Sequence, residues 1–216
     1  MTARGRFVTF EGGEGAGKST QIERLAQRLR TAGFRVRVTR EPGGPKDGAV
    51  EAAASLRKLL VEGDPARWSP RAEALLNYAQ RVEHVNRFVL PALVAGDWVL
   101  CDRFADSTMA YQGYGHRLGA PLVRALHRAS LGAFKPDFTL VLDIPVATGL
   151  ARAGARAGVE TRFERYPTEF HERVRRGFRA IARAEPKRCA LIDARGAAGI
   201  VEARIAKALA KRFPGL

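Results

Sequence analysis

A glycine-rich loop carries the strongest chemical signal in the sequence. It reads G-x-x-x-x-G-K-S over residues 12–19, between the apolar run 7–10 and a segment with helical periodicity. Glycines let successive backbone N–H groups surround an anion, and the N-terminus of the following helix adds positive charge. Lys18 can then reach the β- and γ-phosphates of a nucleoside triphosphate, while the Ser19 hydroxyl can bind Mg²⁺. The pattern predicts a phosphate-binding loop made of Gly12, Gly13, Glu14, Gly15, Ala16, Gly17, Lys18, Ser19 and Thr20.

An acidic residue and an arginine end another predicted strand. Asp102 and Arg103 follow the apolar run 98–101. Because the carboxyl ends of parallel strands meet at one edge of a sheet, we expect both side chains beside the glycine loop. Asp102 could orient the Mg²⁺ shell there, and Arg103 could hold a phosphate group through two N–H bonds. The alternative is an ordinary ion pair at a strand end, which the neighbouring loop disfavours.

Other segments offer groups for a second anionic ligand. Arg40 ends a predicted strand, and Arg81 lies on a long predicted helix, one turn beyond Asn77 and Tyr78. Uncharged hydrogen-bonding side chains follow Arg103, namely Ser107, Thr108, Tyr111 and Gln112. Such groups suit the edge of a nucleotide base. Together these residues predict an acceptor that carries its own phosphate.

A basic segment with interspersed glycines spans about residues 152–166. Its arginines are Arg152, Arg156, Arg162 and Arg165. We expect a lid that closes cations over the phosphoryl group during its transfer. The alternative is a solvated, arginine-rich helix end.

Five short apolar runs alternate with longer segments of helical periodicity. The runs predict buried parallel strands at 6–10, 34–39, 97–101, 138–142 and 189–192. Helices are predicted at about 18–32, 49–62, 71–95, 104–112, 120–132, 146–157, 167–184 and 197–212. A kink is expected near Pro91 in the third of them. The chain is therefore predicted to be one α/β domain, 1–216, whose parallel sheet is covered by helices on both faces.

Composition narrows the class of protein. The net charge is +15, but the basic residues are 30 arginines and 7 lysines spread along the chain, which argues against a dedicated nucleic-acid surface. No apolar run approaches the roughly 20 residues that span a membrane, and no signal sequence precedes the first strand. Cys101 and Cys189 lie in apolar runs and are expected to be buried free thiols. We expect a cytoplasmic protein that binds neither nucleic acid nor membranes.

These motifs together resemble the bacterial thymidylate kinase family. The resemblance covers about residues 5–212. It rests on FEGGEGAGKST at 10–20, TREPGG at 39–44, AQR at 79–81, VLPAL at 89–93, DRFADSTMAYQG at 102–113, KPDFTLVLD at 135–143 and the basic lid. The motifs at 39–44 and 102–113 are more specific than the glycine loop, which many families share.

The resemblance implies an activity and an architecture. The activity is ATP-dependent transfer of the γ-phosphoryl group to dTMP, giving dTDP for deoxynucleotide biosynthesis. The architecture is the P-loop nucleoside monophosphate kinase fold, with a five-stranded parallel sheet, a helical lid and a homodimer built on helices. Mg²⁺ is the implied cofactor, with Ser19 and Asp102 as the residues nearest to it.

Roles for individual residues also follow from the resemblance. Arg40, Arg81 and Arg103 are expected to hold the monophosphate, and Glu14 is expected near the acceptor sugar or the metal. Ser107 and Gln112 match positions beside the thymine. The dTMP-binding set implied in this way is Glu14, Arg40, Asn77, Tyr78, Arg81, Arg103, Ser107, Tyr111 and Gln112.

Gly15 stands where one subgroup of the family carries a catalytic arginine. The resemblance therefore implies the subgroup that supplies this cation from the lid, with Arg156 as the first candidate and Arg152 as the second. Together with Lys18 and Arg103, they form the expected catalytic set.

Two positions depart from the family pattern. Asn77 stands where the family usually has a large ring or apolar side chain that stacks on thymine, so Tyr78 or another ring substitutes, or affinity for the base is lower. Thr161 stands where the lid usually has an aspartate. The alternatives left open are a kinase for another nucleoside monophosphate or nucleoside and, from a different class, a nucleotide-gated switch or nucleic-acid-stimulated ATPase.

Overall fold

A parallel sheet of five strands lies at the centre of the protein, in the order β2-β3-β1-β4-β5. The computed structural model describes residues 4–155 and 162–215. The strands are β1 (Phe7–Gly12), β2 (Val36–Arg40), β3 (Trp98–Asp102), β4 (Phe138–Asp143) and β5 (Cys189–Asp193). The predicted five-stranded parallel sheet is confirmed. The edge strand β2 begins two residues later than expected, and its Arg37 and Val38 are exposed.

Helices cover both faces of this sheet. They are α1 (Lys18–Thr31), α2 (Glu51–Val61), α3 (Pro70–His84), α4 (Leu90–Val94), α5 (Ala105–Thr108), α6 (Ala120–Leu131), α7 (Val146–Gly154), α8 (Thr168–Ala184) and α9 (Ala198–Arg212). Among the described residues, no helix combines the length and apolar character that crossing a membrane requires.

The buried side chains explain how the helices pack. On one face, Phe10 and Leu140 of the sheet lie in a cluster with Ile22 of α1 and Ile205 of α9. The opposite face packs Val99 against the rod that runs from α3 to α4, while α8 covers β4 and β5. Since β1 is buried at every position, the loop that follows it is held on a rigid support.

Two helical segments widen into π-helix. The predicted helix 71–95 is interrupted at Val85–Val89, directly before Pro91. Pro91 has no N–H for the carbonyl four residues earlier, and its ring needs space there, so a wider turn relieves both problems. The predicted helix 104–112 is α-helical only to Thr108 and continues as π-helix from Met109 to Gly115.

Candidate active site

A cavity of about 730 Å³ opens at the carboxyl ends of β1, β2 and β3. Its lining joins two sets of residues, which we name by their predicted ligands. The donor wall is the glycine loop, residues 12–19, of which residues 14–19 line the cavity. The acceptor wall comprises Arg40, Asn77, Arg81, Ser107, Thr108 and Gln112. One cavity therefore brings both predicted binding sites together.

The donor wall has the geometry that the motif predicts. Gly17, with a φ of 87°, precedes the first turn of α1, which contains no acidic residue. Lys18 is buried, and its Nζ donates to the carbonyl oxygens of Gly12 at 3.4 Å and Gly13 at 3.2 Å. Burial and the nearby Arg103 hold the pKa of Lys18 below its usual value. The Lys18 side chain therefore already lies along the loop, where a phosphate group would bind.

Gly15 makes a contact that only glycine allows. Its φ is 64°, and a Cβ at this position would overlap the carbonyl oxygen of Gly149 in α7. Gly149 is in turn restricted, because a Cβ there would overlap the carbonyl oxygen of Glu14. The backbone of this loop therefore leaves no room for a side chain at residue 15.

Ser19 and Asp102 meet beside the donor wall. The Ser19 hydroxyl donates to Asp102 Oδ2 at 3.1 Å. The other oxygen, Asp102 Oδ1, is buried and has no hydrogen-bond partner among the described residues. A buried carboxylate oxygen without a partner fits a hard cation, and Mg²⁺ typically takes one or two protein oxygens besides those of phosphate.

Arg103 joins the two walls. Its guanidinium donates to the carbonyl oxygen of Gly12 at 3.0 Å, to Ser107 Oγ at 3.3 Å and to Glu14 Oε1 at 2.8 Å. The same guanidinium lies over the ring of Tyr111, 5.0 Å from its centroid. Arg103 can therefore reach both a donor phosphate at the loop and an acceptor phosphate beside Ser107.

Glu14 is held as a carboxylate by this arrangement. Burial alone would raise its pKa, but Arg103, Lys18 and the Tyr111 hydroxyl, which donates to Oε1 at 2.6 Å, lower it to about 2. The carboxylate thus neutralises Arg103 until a phosphate group competes for the same N–H donors.

The backbone of Arg103 adopts a left-handed conformation, with a φ of 69°. Such a conformation costs about 1–3 kcal/mol and persists only where the surroundings enforce it. Here the buried Glu11 enforces it, since its two oxygens accept from the Phe104 N–H at 2.7 Å and from Ser107 Oγ at 2.6 Å. Sequence reasoning missed Glu11, and the only available signal was a carboxylate inside an apolar strand.

Arg81 is fully buried in the acceptor wall. Its Nε donates to Glu41 Oε2 at 2.7 Å, and its Nη2 donates to Thr108 Oγ1 at 3.0 Å. Glu41 also faces His84 Nδ1 at 2.9 Å. The remaining nitrogen, Arg81 Nη1, is buried without a hydrogen-bond partner among the described residues. Arg81 also lines the cavity, and its predicted contact with the acceptor phosphate stays a prediction.

The remaining predicted contacts of the acceptor divide into two groups. Arg40, Asn77, Ser107 and Gln112 line the cavity, as expected. Tyr78 does not: its buried hydroxyl donates to the carbonyl oxygen of Val123 at 3.4 Å, on the side of α3 that packs against α6. The next residue along a helix points about 100° away, which places Tyr78 outside the lining, and its contact with the base stays a prediction.

The arginines of the predicted lid lie in different surroundings. Arg156 lies outside the described residues. Arg152 is exposed near the end of α7 and is not part of the cavity lining. Arg162, expected to be a lid cation, is buried in an ion pair with Glu73, with 2.5 Å between its Nη1 and Oε2. Its three nitrogens also donate to the carbonyl oxygens of Leu60, Asp64 and Pro65, so the whole guanidinium is engaged within the protein.

Comparison with known proteins agrees with this geometry. The sequence model described as thymidylate kinase matches residues 10–205. A thymidylate kinase of Caulobacter vibrioides is 52% identical over 210 residues, covering 97% of this chain and 98% of that protein. One of Bradyrhizobium diazoefficiens is 48% identical over 214 residues, covering 98% and 92%.

A solved structure extends the agreement to three dimensions. The crystal structure of thymidylate kinase from Ehrlichia chaffeensis matches with a TM-score of 0.76 and 31% identity, covering 95% of this chain and 99% of that one. The match extends over nearly the whole length of both chains. The chain therefore belongs to the thymidylate kinase family.

Proposed function

We propose that the protein is a thymidylate kinase, which transfers the γ-phosphoryl group of ATP to dTMP and gives dTDP for deoxynucleotide synthesis. The observation that carries the proposal is Arg103, which contacts both walls of one cavity. A triphosphate on the donor wall and a monophosphate on the acceptor wall would meet at this guanidinium. A simple ATPase would have no use for the second wall.

The mechanism needs positioning and charge more than proton transfer. The acceptor phosphate is already anionic near neutral pH, so its oxygen can attack without a general base. Lys18 and the loop N–H groups hold the donor, and Arg103 neutralises charge on the transferring group. Phosphate binding would draw Arg103 away from Glu14, leaving that carboxylate to accept a hydroxyl of the acceptor sugar or to lie near the metal. Arg40 and Arg81 would hold the acceptor.

Mg²⁺ would bind at Ser19 and Asp102, where the unpartnered Oδ1 supports it. When bound with ATP, the ion neutralises oxygens of the β- and γ-phosphates. Lid cations complete the proposal, with Arg156 as first choice and Arg152 as second. The closed contact of Gly15 with Gly149 supports a source outside the loop.

The proposal is tested by measuring ADP release with a panel of nucleoside monophosphates and thymidine. We expect dTMP to be the preferred acceptor, with little ATP turnover when no acceptor is present. Preference for another acceptor would favour the alternative kinase suggested by Asn77. Turnover without an acceptor, stimulated by DNA or RNA, would favour the nucleotide-gated switch.

A homodimer and a cytoplasmic location complete the proposal. Leu75, Leu90 and Val94 are exposed on the rod from α3 to α4, and Val94 reaches 79% exposure, which suits burial against a second copy. The family resemblance implies a homodimer built on helices. Light scattering should give the mass of a dimer for the wild type and of a monomer for Val94→Glu.

The buried free thiols of Cys101 and Cys189 support a reducing compartment.

A further inference from the structure

Asn77 leaves the acceptor wall without an aromatic surface at its own position. Its side-chain Nδ2 donates to the carbonyl oxygen of Glu73 at 2.9 Å, so the amide is bound back to its own helix. An amide offers no π-face, whereas contact with an aromatic ring stabilises a bound base substantially. A ring from another element could replace it.

Three aromatic side chains occur in the described lining of the cavity: Phe104, Tyr111 and Phe163. Phe104 is completely buried and Tyr111 is 5% exposed. Tyr111 is also occupied, because Arg103 lies over its ring and its hydroxyl binds Glu14. Phe163 is partly exposed, so it has ring surface available to a ligand.

Phe163 is held in place by its neighbour Arg162. The guanidinium lies over the Phe163 ring at 5.1 Å from the centroid. It donates to the carbonyl oxygens of Leu60 at 3.0 Å, Asp64 at 3.0 Å and Pro65 at 2.8 Å. The ring of Tyr111 meets Phe163 nearly at right angles, with centroids 5.5 Å apart. The orientation of Phe163 is therefore determined by buried contacts although the residue belongs to a loop.

One carboxylate connects this ring to the acceptor wall. Glu73 pairs with Arg162 through Oε2 and accepts from Gln112 Nε2 at 2.6 Å through Oε1. Glu73, Arg162 and Gln112 are all nearly inaccessible to solvent. Phe163 and the amide expected beside the base are thus anchored to the same buried group.

We propose that Phe163 supplies the aromatic surface for the base of the acceptor nucleotide, and that Glu73 and Arg162 are positioning residues that hold it beside Gln112. The inference rests on the proposed function, because it assumes that a nucleotide base enters the acceptor wall. It assigns base affinity to a residue of the predicted lid segment, 152–166, and explains how the site can accept Asn77.

The first experiment compares Phe163→Leu, which keeps apolar volume, with Phe163→Tyr, which keeps the ring. For Phe163→Leu we expect the KM for dTMP to rise about 10-fold, as loss of one base–ring contact does, while the KM for ATP stays within about twofold. Phe163→Tyr should resemble the wild type. The affinity for 2-deoxyribose 5-phosphate, which has no base, should be the same in all three proteins.

The second experiment tests the replacement of residue 77. Asn77→Phe should restore most of the dTMP affinity in the Phe163→Leu background, and its effect there should be larger than its effect in the wild type. Glu73→Gln should raise the KM for dTMP and add little when combined with Phe163→Leu, because both changes act on the same contact.

An unchanged KM for dTMP in Phe163→Leu would overturn the inference. So would parallel losses for ATP, dTMP and 2-deoxyribose 5-phosphate with a lowered Tm, since these would indicate packing alone. If the wild type prefers a different monophosphate, the proposed function fails first. The same comparison, made with that monophosphate, then decides the role of Phe163.

Discussion

The donor wall and the acceptor wall of the cavity differ in the chemical groups that form them. The donor wall is mainly backbone, shaped by glycines and by one contact between Gly15 and Gly149. The acceptor wall consists of side chains, and buried glutamates hold them. Glu41 holds Arg81, Glu73 holds Gln112 and Glu11 holds the turn that contains Ser107.

This difference determines what a local motif can reveal. The donor wall is contiguous in the chain, so its geometry follows from one short pattern. The carboxylates of the acceptor wall lie 40, 39 and 96 residues from the groups that they hold. A buried carboxylate requires partners, and those partners are chosen by the fold.

The largest expected effect comes from removing a carboxylate of the acceptor wall. Glu41→Gln leaves the buried Arg81 guanidinium without its counter-charge, which typically lowers the free energy of unfolding by about 3–5 kcal/mol. We expect this loss in urea unfolding, together with a higher KM for dTMP and an unchanged KM for ATP.

Asp97→Asn provides the matched control for that variant. Asp97 is also a buried carboxylate, but its partners Arg35 and Arg37 have side chains that are 68% and 61% exposed. Water can solvate both arginines after the change, so the loss should be clearly smaller than for Glu41→Gln. Equal losses of unfolding free energy in the two variants would show that Glu41 does not stabilise the fold by neutralising Arg81.

Arg103 should be the most important side chain for turnover, because it contacts both walls. For Arg103→Ala we expect kcat to fall about 10²–10³-fold, as when one charge-stabilising donor is lost, with a much smaller change in ATP affinity. Single-turnover measurements would separate chemistry from product release. Near-full turnover of Arg103→Ala would remove Arg103 from the catalytic set. The control is Arg24→Ala, on the exposed face of α1, which should have the kcat of the wild type.

Much of the fold could be predicted from sequence. Buried parallel strands are continuous apolar runs, so β1 was predicted, although it begins one residue later and ends two residues later than expected. The glycine loop follows β1 as its sequence pattern predicts, and its role in binding ATP stays a prediction. The positions of Arg81 and Gln112 in the cavity followed from the resemblance, but the carboxylates that hold them did not.

Two side chains have surroundings that the sequence did not predict, and the physical reason is the same. Tyr78 lies beside Asn77 in the chain, but helix geometry turns it toward Val123. Arg162 belongs to the segment predicted to be a lid, but it forms a buried ion pair with Glu73. Neither the direction of a helix face nor the identity of a distant partner is contained in a local stretch of residues.

The pH dependence of stability should distinguish two glutamates three residues apart. Burial and the nearby Asp106 raise the pKa of Glu11 to about 8, although Ser107, Arg103 and the Phe104 N–H oppose this. The folded state therefore holds a proton that the unfolded state releases above about pH 4.5, so Glu11 reduces stability as the pH rises toward 8.

For Glu11→Gln, we expect this part of the pH dependence of stability to disappear. In urea unfolding, the free energy of unfolding of the variant should rise by about 2–4 kcal/mol relative to the wild type between pH 5 and pH 8. Glu14→Gln should keep the wild-type slope in this window. The low pKa of Glu14 makes its contribution complete above about pH 4.5 and lost only as the pH falls toward 2. Identical slopes for the wild type and Glu11→Gln would contradict the prediction.

The smallest expected effect tests whether the donor wall really depends on backbone. Gly15→Ala places a methyl group at a φ of 64° and against the carbonyl oxygen of Gly149, so the loop must shift. We expect a loss of about 1–2 kcal/mol in ATP binding, within the usual range for backbone strain. Gly13→Ala is the matched control, because a Cβ there would meet nothing within 4 Å. Calorimetric titration with ATP should therefore separate the two variants, and equal affinities would mean that the contact between Gly15 and Gly149 does not shape the phosphate site.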